Sequence, residues 1–111
     1  MILDFASMPI TSLEHFKGGE KHVDSHMYVD GLCRIMQGRL IPGASIGLHT
    51  HEDSCEILYC LTGGAKAIYD GVEERIRPGC AHYCPKGHSH TVFNDTDEDM
   101  TFFTIIPQQA G

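Results

Sequence analysis

The sequence predicts an all-β protein, an antiparallel jelly-roll β-barrel of about eight or more short strands with a short N-terminal arm or helical turn. Two observations predict it. Short runs with strand character recur at spacings near ten residues from Leu32 onward, each closed by turn chemistry such as Pro42-Gly43, Asp70-Gly71 or Pro78-Gly79. Outside the N-terminus no window carries a helical hydrophobic period.

The organising stretch runs from Gly43 to Gly63. Ala44, Ile46 and Leu48 alternate with Ser45 and Gly47 as in a half-buried strand, which then reaches His49-Thr50-His51. Side chains two apart on a strand share a face, so His49 and His51 converge; on a helix they would diverge. Asp53-Ser54 supplies a turn, and Glu56 to Leu61 reads as the returning strand of a hairpin, which brings the Glu56 carboxylate beside both imidazoles. That combination predicts a metal site in a β-protein.

The remaining elements follow in order. Residues 1–30 are read as an N-terminal arm and residues 31–111 as the barrel domain. Within the arm, Thr11-Ser12-Leu13-Glu14 fits a capping box that Gly18-Gly19 would terminate, so the stretch is read as one or two helical turns or, alternatively, as an extended arm that leaves the domain to pair with a second subunit. Gly18 to Asp30 reads as a loop. Further strands are expected over Leu32 to Ile41, Ala65 to Tyr69, Val72 to Arg77, Cys80 to Cys84, His88 to Asn94 and Met100 to Ile106.

A chain of 111 residues is long enough for one modest core and not for two. Its apolar runs are too short to span a membrane, and the N-terminus has neither a basic region nor a long apolar stretch of the secretory kind. The formal net charge is −7, from 15 acidic and 8 basic residues, with no Lys/Arg cluster. Neither nucleic acid nor an anionic membrane is therefore expected as a partner. The five cysteines are odd in number and contain no Cys-x-x-Cys pair. Free thiols in a reducing, cytoplasmic compartment are the expectation.

Two spaced strings carry a family resemblance. The first is Gly43, five residues, His49-x-His51, four residues, Glu56, six residues, Gly63. The second is Gly79, five residues, Pro85-x-Gly87, two residues, His90, three residues, Asn94, and 15 residues separate the two strings. Together they resemble the two motifs of the cupin superfamily, in the right order. The resemblance implies a small β-barrel enclosing one divalent transition metal (Mn, Fe, Zn, Ni, Co or Cu) held by His49, His51, Glu56 and His90. Three neutral imidazoles and one carboxylate suit such an ion on their own chemistry. Four protein ligands on an octahedral ion leave two open positions, and the residual positive charge would attract an anionic or chelating oxygen ligand.

Strand parity sorts the neighbours. Glu56 facing inward takes Leu58 and Cys60 with it and turns Ile57 and Tyr59 outward. His90 inward takes Val92 and Asn94, and Asn94 is expected to fix a backbone turn or an outer hydrogen bond. Ser45 and Gly47 would share the face of His49 and leave a small floor. His88 is the best remaining acid–base candidate, either catalytic or a rim histidine. His82 is expected to be structural or exposed, Cys60 and Cys84 inert thiols. His15, His22 and His26 are expected to be solvated, with His26 a remote candidate for the pocket mouth.

The resemblance covers dioxygenases, isomerases, decarboxylases and non-enzymatic binders, so it points to fold more sharply than to reaction. The leading expectation is an enzyme, dioxygenase-like or isomerase-like, acting on a small oxygen-rich substrate at the metal. The alternative is a non-catalytic small-molecule or metal-binding module. A homodimer is expected, formed by exchange of edge strands, with Leu32 to Ile41 and Met100 to Ile106 as the edges needing cover.

Overall fold

The computed structural model describes residues 1–109. Ten strands form in chain order: β1 Thr11–Glu14, β2 His22–Val29, β3 Cys33–Leu40, β4 Ser45–Thr50, β5 Glu56–Thr62, β6 Ala65–Tyr69, β7 Val72–Ile76, β8 Ala81–Cys84, β9 Ser89–Phe93 and β10 Met100–Pro107. They make two antiparallel sheets, one in the order β1-β2-β3-β10-β5-β8 and the other β4-β9-β6-β7. The sheets stay separate rather than closing into a barrel, and the jelly-roll is a two-layer sandwich. Among the described residues no helix is long and apolar enough to cross a membrane.

Parity along the strands builds the core. On β5, Glu56, Leu58 and Cys60 are buried while Ile57, Tyr59 and Leu61 are exposed, as the alternation predicts. Val23, Met36, Leu40, Ile46, Leu58, Ile76, Val92, Met100 and Phe102 meet between the sheets. Gly38 lets two strands carry the largest of these: a Cβ there would lie 2.5 Å from the Phe102 ring, its register partner on β10. The β6–β7 hairpin turns on Asp70-Gly71 with φ of 47° and 81°, the left-handed pair that a two-residue hairpin requires.

Four expectations are corrected. Thr11–Glu14 is a strand, paired with His22–Ser25, and the turn near Gly18 is a short 3-10 segment over Phe16–Gly18. The stretch read as a loop holds β2, which pairs along most of β3. Its alternation was diluted because Ser25 takes a buried position beside Val23, and His22, Asp24, His26 and Tyr28 occupy the opposite parity. The two runs expected at sheet edges, β3 and β10, lie inside the six-stranded sheet. β4 and β5 are not a hairpin either. They belong to different sheets, and residues 51–55 cross between them.

The fifth correction concerns β4. Ile46 pairs with Val92 and His49 with His90, so β4 advances three residues where β9 advances two. This bulge reverses parity. Ile46 and His49 both face the interior, Leu48 is 69% exposed, and Gly47 turns away from His49. The 3-10 segment docks on that bulge. A Cβ on Gly47 would lie 2.1 Å from the Lys17 carbonyl oxygen, and one on Gly19 would lie 2.1 Å from the Ser45 carbonyl oxygen. Gly47→Ala is expected to lower unfolding free energy by about 1–3 kcal/mol in denaturant titration. Leu48→Ala at the exposed neighbour should change it by less than about 0.5 kcal/mol. Equal effects of the two substitutions would contradict this account of the bulge.

Candidate metal centre

The structure brings His49, His51, Glu56 and His90 together from both sheets. His49 and His90 stand on β4 and β9 of the smaller sheet, Glu56 opens β5 of the larger, and His51 lies on the crossing segment between them. One ligand atom from each falls within 4.8 Å of the others. The three Nε2 atoms form a near-equilateral triangle: 3.2 Å from His49 to His51, 3.0 Å from His51 to His90 and 3.1 Å from His90 to His49. Glu56 Oε1 lies 3.1 Å from Nε2 of both His51 and His90.

These spacings discriminate between geometries. At a metal–nitrogen distance of about 2.1 Å, adjacent donors of an octahedron lie about 3.0 Å apart and those of a tetrahedron about 3.4 Å. The triangle fits the former. Outer hydrogen bonds set the protons so that lone pairs face inward. His49 Nδ1 donates to the Gly47 carbonyl at 2.7 Å, a group that the bulge removes from the strand ladder. A carbonyl only accepts, so neutral His49 has a bare Nε2. His51 Nδ1 lies 3.1 Å from Ser54 Oγ. His90, with no exposed surface, has Nδ1 2.9 Å from Nε2 of His82, whose own Nδ1 lies 3.2 Å from Glu74 Oε1. Thr104 Oγ1 lies 3.0 Å from Glu56 Oε2 and 2.9 Å from the Ile57 carbonyl oxygen, steering the carboxylate. Supported ligands of this kind, crowding donor atoms that would otherwise repel, fit a bound cation.

Burial and charge act in opposite senses here. Burial would raise the Glu56 carboxyl, but the His51 and His90 imidazoles beside it outweigh that and hold the group well below the ordinary carboxylate range. His49 is shifted downward by burial, with His90 and His51 adding to the effect, so it stays neutral and able to ligate. His82 is shifted downward likewise, first by burial and then by His90.

Of the cluster, His49, His51 and Glu56 line a cavity of about 310 Å³. Met36, Ile46, Phe102 and Ile106 supply apolar walls; Lys17, Arg34, Asp30, Glu52 and Asp53 surround the opening. The lining therefore has Ile46 where Ser45 and Gly47 were expected, a consequence of the bulge.

Other candidates fall elsewhere. The His88 side chain points away from the cavity: it is half-exposed, bonds to Asp70 through Nδ1 and stacks on Tyr69 with centroids 5.5 Å apart. Its contribution to the cluster is main-chain, since the His88 carbonyl accepts from the His51 N–H at 3.1 Å. Asn94 does hold a turn, donating to the Leu40 and Glu98 carbonyls at 2.8 Å each and accepting from Thr96. His26 bonds to the Met8 carbonyl and does not line the cavity. Burial raises the thiols of Cys60 and Cys84, the latter to about 11, which leaves both as poor nucleophiles. Ser54, Thr104 and His82 were missed as site residues. Only His82 had a readable signal, sharing inward parity with Cys84 two residues on.

The sequence matches the family model of the cupin domain over residues 36–106, well over half the chain. The chain is a cupin. It is 35% identical over 68 residues to an oxalate-binding protein of Thermotoga maritima, a match covering 61% of this chain and 56% of that relative. Among solved structures, a predicted oxalate decarboxylase of Thermotoga maritima superposes with a TM-score of 0.90 at 25% identity, over 97% of this cupin and 99% of that chain. A sugar phosphate isomerase of the cupin superfamily from Silicibacter pomeroyi superposes with a TM-score of 0.78 at 22% identity, over 96% and 75% of the two chains. At that identity the second likeness concerns fold alone.

The depressed imidazoles have a pH consequence. Unfolded histidine titrates near about 6.5, whereas His49 and His82 in the folded chain take up protons only at lower pH. Below about pH 6.5 the unfolded state binds more protons, so stability is greatest above that value and declines as pH falls toward the folded pKa values. Thermal melts of the chelator-treated protein should show Tm falling between about pH 7 and pH 5. The loss should be smaller in His49→Gln. A flat Tm over that window would contradict the buried-imidazole account.

Proposed function

We propose that this cupin holds one divalent transition metal through His49, His51, Glu56 and His90, and with it binds a small oxygen-rich anion, a carboxylate or diketone, as an enzyme of dioxygenase-like or isomerase-like type. The observation that carries the reading is the convergence of three Nε2 atoms and Glu56 Oε1, with His49, His51 and Glu56 lining a cavity sized for a small ligand. The three nitrogens are mutually adjacent, and Glu56 Oε1 sits beside those of His51 and His90. An octahedral ion held by these four residues would leave two positions for a ligand. A bound dication supplies Lewis-acid polarisation of ligand oxygens, or oxygen chemistry when it is iron or copper. The chain's own contribution is to hold the ligand between apolar walls, with Lys17 and Arg34 at the opening to meet an anion and Asp30, Glu52 and Asp53 offsetting them. The oxalate-binding relative supports a short carboxylate.

A second reading, a non-catalytic binding module, is favoured by one observation. The acid–base candidate His88 has its side chain outside the cavity. Calorimetric titration of Mn-, Fe- and Zn-loaded protein with oxalate, short hydroxy acids and diketones should show binding that disappears on chelation. Turnover or oxygen uptake with any of them supports the enzyme; saturable binding with no product under every metal supports the module. Absence of metal-dependent binding across the panel contradicts both.

The five cysteines are free, in keeping with a reducing, cytoplasmic setting. A homodimer is supported by the outer face of the six-stranded sheet rather than by its edges. There Tyr83, Ile57, Ile105, Ile35 and Tyr28 lie side by side in register across β8, β5, β10, β3 and β2. Tyr59 and Leu61 extend the patch. Sedimentation should give a dimer for the native chain and a monomer for Ile57→Lys/Tyr59→Lys. A native monomer at tens of micromolar would overturn this assembly.

A further inference from the structure

His82 is a buried histidine beside the cluster that is not one of its four ligands. It stands on β8 in the larger sheet, 5% exposed, and both its nitrogens meet strands of the smaller one. Nδ1 lies 3.2 Å from Glu74 Oε1 on β7, and Nε2 lies 2.9 Å from His90 Nδ1 on β9. The His82 and His90 rings are nearly parallel, 15° apart.

The acceptor at the end of this line places every proton along it. An ionised carboxylate only accepts, so the hydrogen facing Glu74 belongs to His82 Nδ1. Neutral imidazole carries a single N–H, which leaves His82 Nε2 as an acceptor and puts the next hydrogen on His90 Nδ1. His90 Nε2 then presents a bare lone pair toward the Nε2 atoms of His49 and His51. The chain of bonds starts at a surface carboxylate, since Glu74 is 48% exposed and lines a separate cavity of about 330 Å³ that shares no lining residue with the metal cavity. Neither His49, backed by a carbonyl, nor His51, backed by a hydroxyl, has such a partner.

We propose that His82, oriented by Glu74, is a positioning residue for the metal: the Glu74–His82–His90 chain fixes the tautomer of His90 and strengthens its Nε2 as a ligand. The proposal rests on the reading of His90 as a ligand. Carboxylate character passed through one imidazole to another raises ligand basicity and orients the ring, so affinity at the floor of one cavity depends on a carboxylate in another.

Two measurements on the full chain test it. Long-range 1H–15N correlation spectra of the chelator-treated protein should show His90 as the Nδ1–H tautomer; the Nε2–H form overturns the proposal. Cobalt(II) affinity, measured by chelator competition, should fall about 10–100-fold in His82→Leu. His82→Gln, whose side-chain oxygen accepts the His90 N–H, should keep most of the affinity, and Glu74→Gln should fall between. Unchanged affinity in His82→Leu, or equal loss in the Leu and Gln variants, overturns the proposal. If His82→Leu does not fold, Glu74→Gln at its exposed position and the tautomer spectrum decide. Failure of the native chain to take up cobalt, with His51→Ala no different, overturns the metal reading and this proposal together. Native uptake with unaffected His82 and Glu74 variants overturns this proposal alone.

Discussion

Four ligand atoms, all within 4.8 Å of one another, between two sheets are the constraint on which the rest of the molecule depends. Three nitrogen lone pairs and a carboxylate oxygen repel one another unless a proton or a cation lies among them. Burial makes that repulsion stronger, because water cannot screen it. The surrounding structure is arranged to hold it: a carbonyl behind His49, a hydroxyl behind His51, an imidazole behind His90 and Thr104 beside Glu56. Each of these partners comes from a different part of the chain. The cluster thereby couples the six-stranded sheet to the four-stranded sheet where no strand pairing joins them.

The bulge in β4 shows how a local irregularity serves the site. One additional residue between Ile46 and His49 reverses parity, places the imidazole inward and takes the Gly47 carbonyl out of the ladder. That carbonyl then bonds the very imidazole that the bulge redirected. The glycine at the bulge also admits the 3-10 segment over Phe16–Gly18, whose Phe16 and Lys17 reach the cavity opening. A strand of perfect alternation would have pointed His49 to the face of Gly47.

The convergence of His49, His51, Glu56 and His90 was legible because both spaced strings that carry the family resemblance are intact, from His49-x-His51 to Asn94. The strands from Leu32 onward were legible too, since Gly and Pro turns punctuate them and β5 alternates cleanly. What escaped has a common physical cause. β2 buries Ser25 where an apolar residue would have signalled a strand, and the bulge has no local marker beyond one glycine. Thr104 lies 48 residues beyond the carboxylate it bonds, in a strand that reads simply as apolar. His88 follows a turn at Gly87, with φ of 87°, and its direction is set there rather than by the strand that follows. Parity arguments hold inside regular strands and fail at their ends.

With a dication held by His49, His51, Glu56 and His90, as proposed, the apolar-walled cavity would favour a compact oxygen-rich anion over a bulky apolar ligand. All of this presupposes an ion held by nitrogen and oxygen. X-ray absorption at the metal edge of the loaded chain addresses that directly. The account predicts one ion per chain in a nitrogen/oxygen shell near about 2.1 Å, with the multiple-scattering pattern of three imidazoles that drops to two in His51→Ala. Sulfur in that shell, or a native spectrum without three imidazoles, would contradict it.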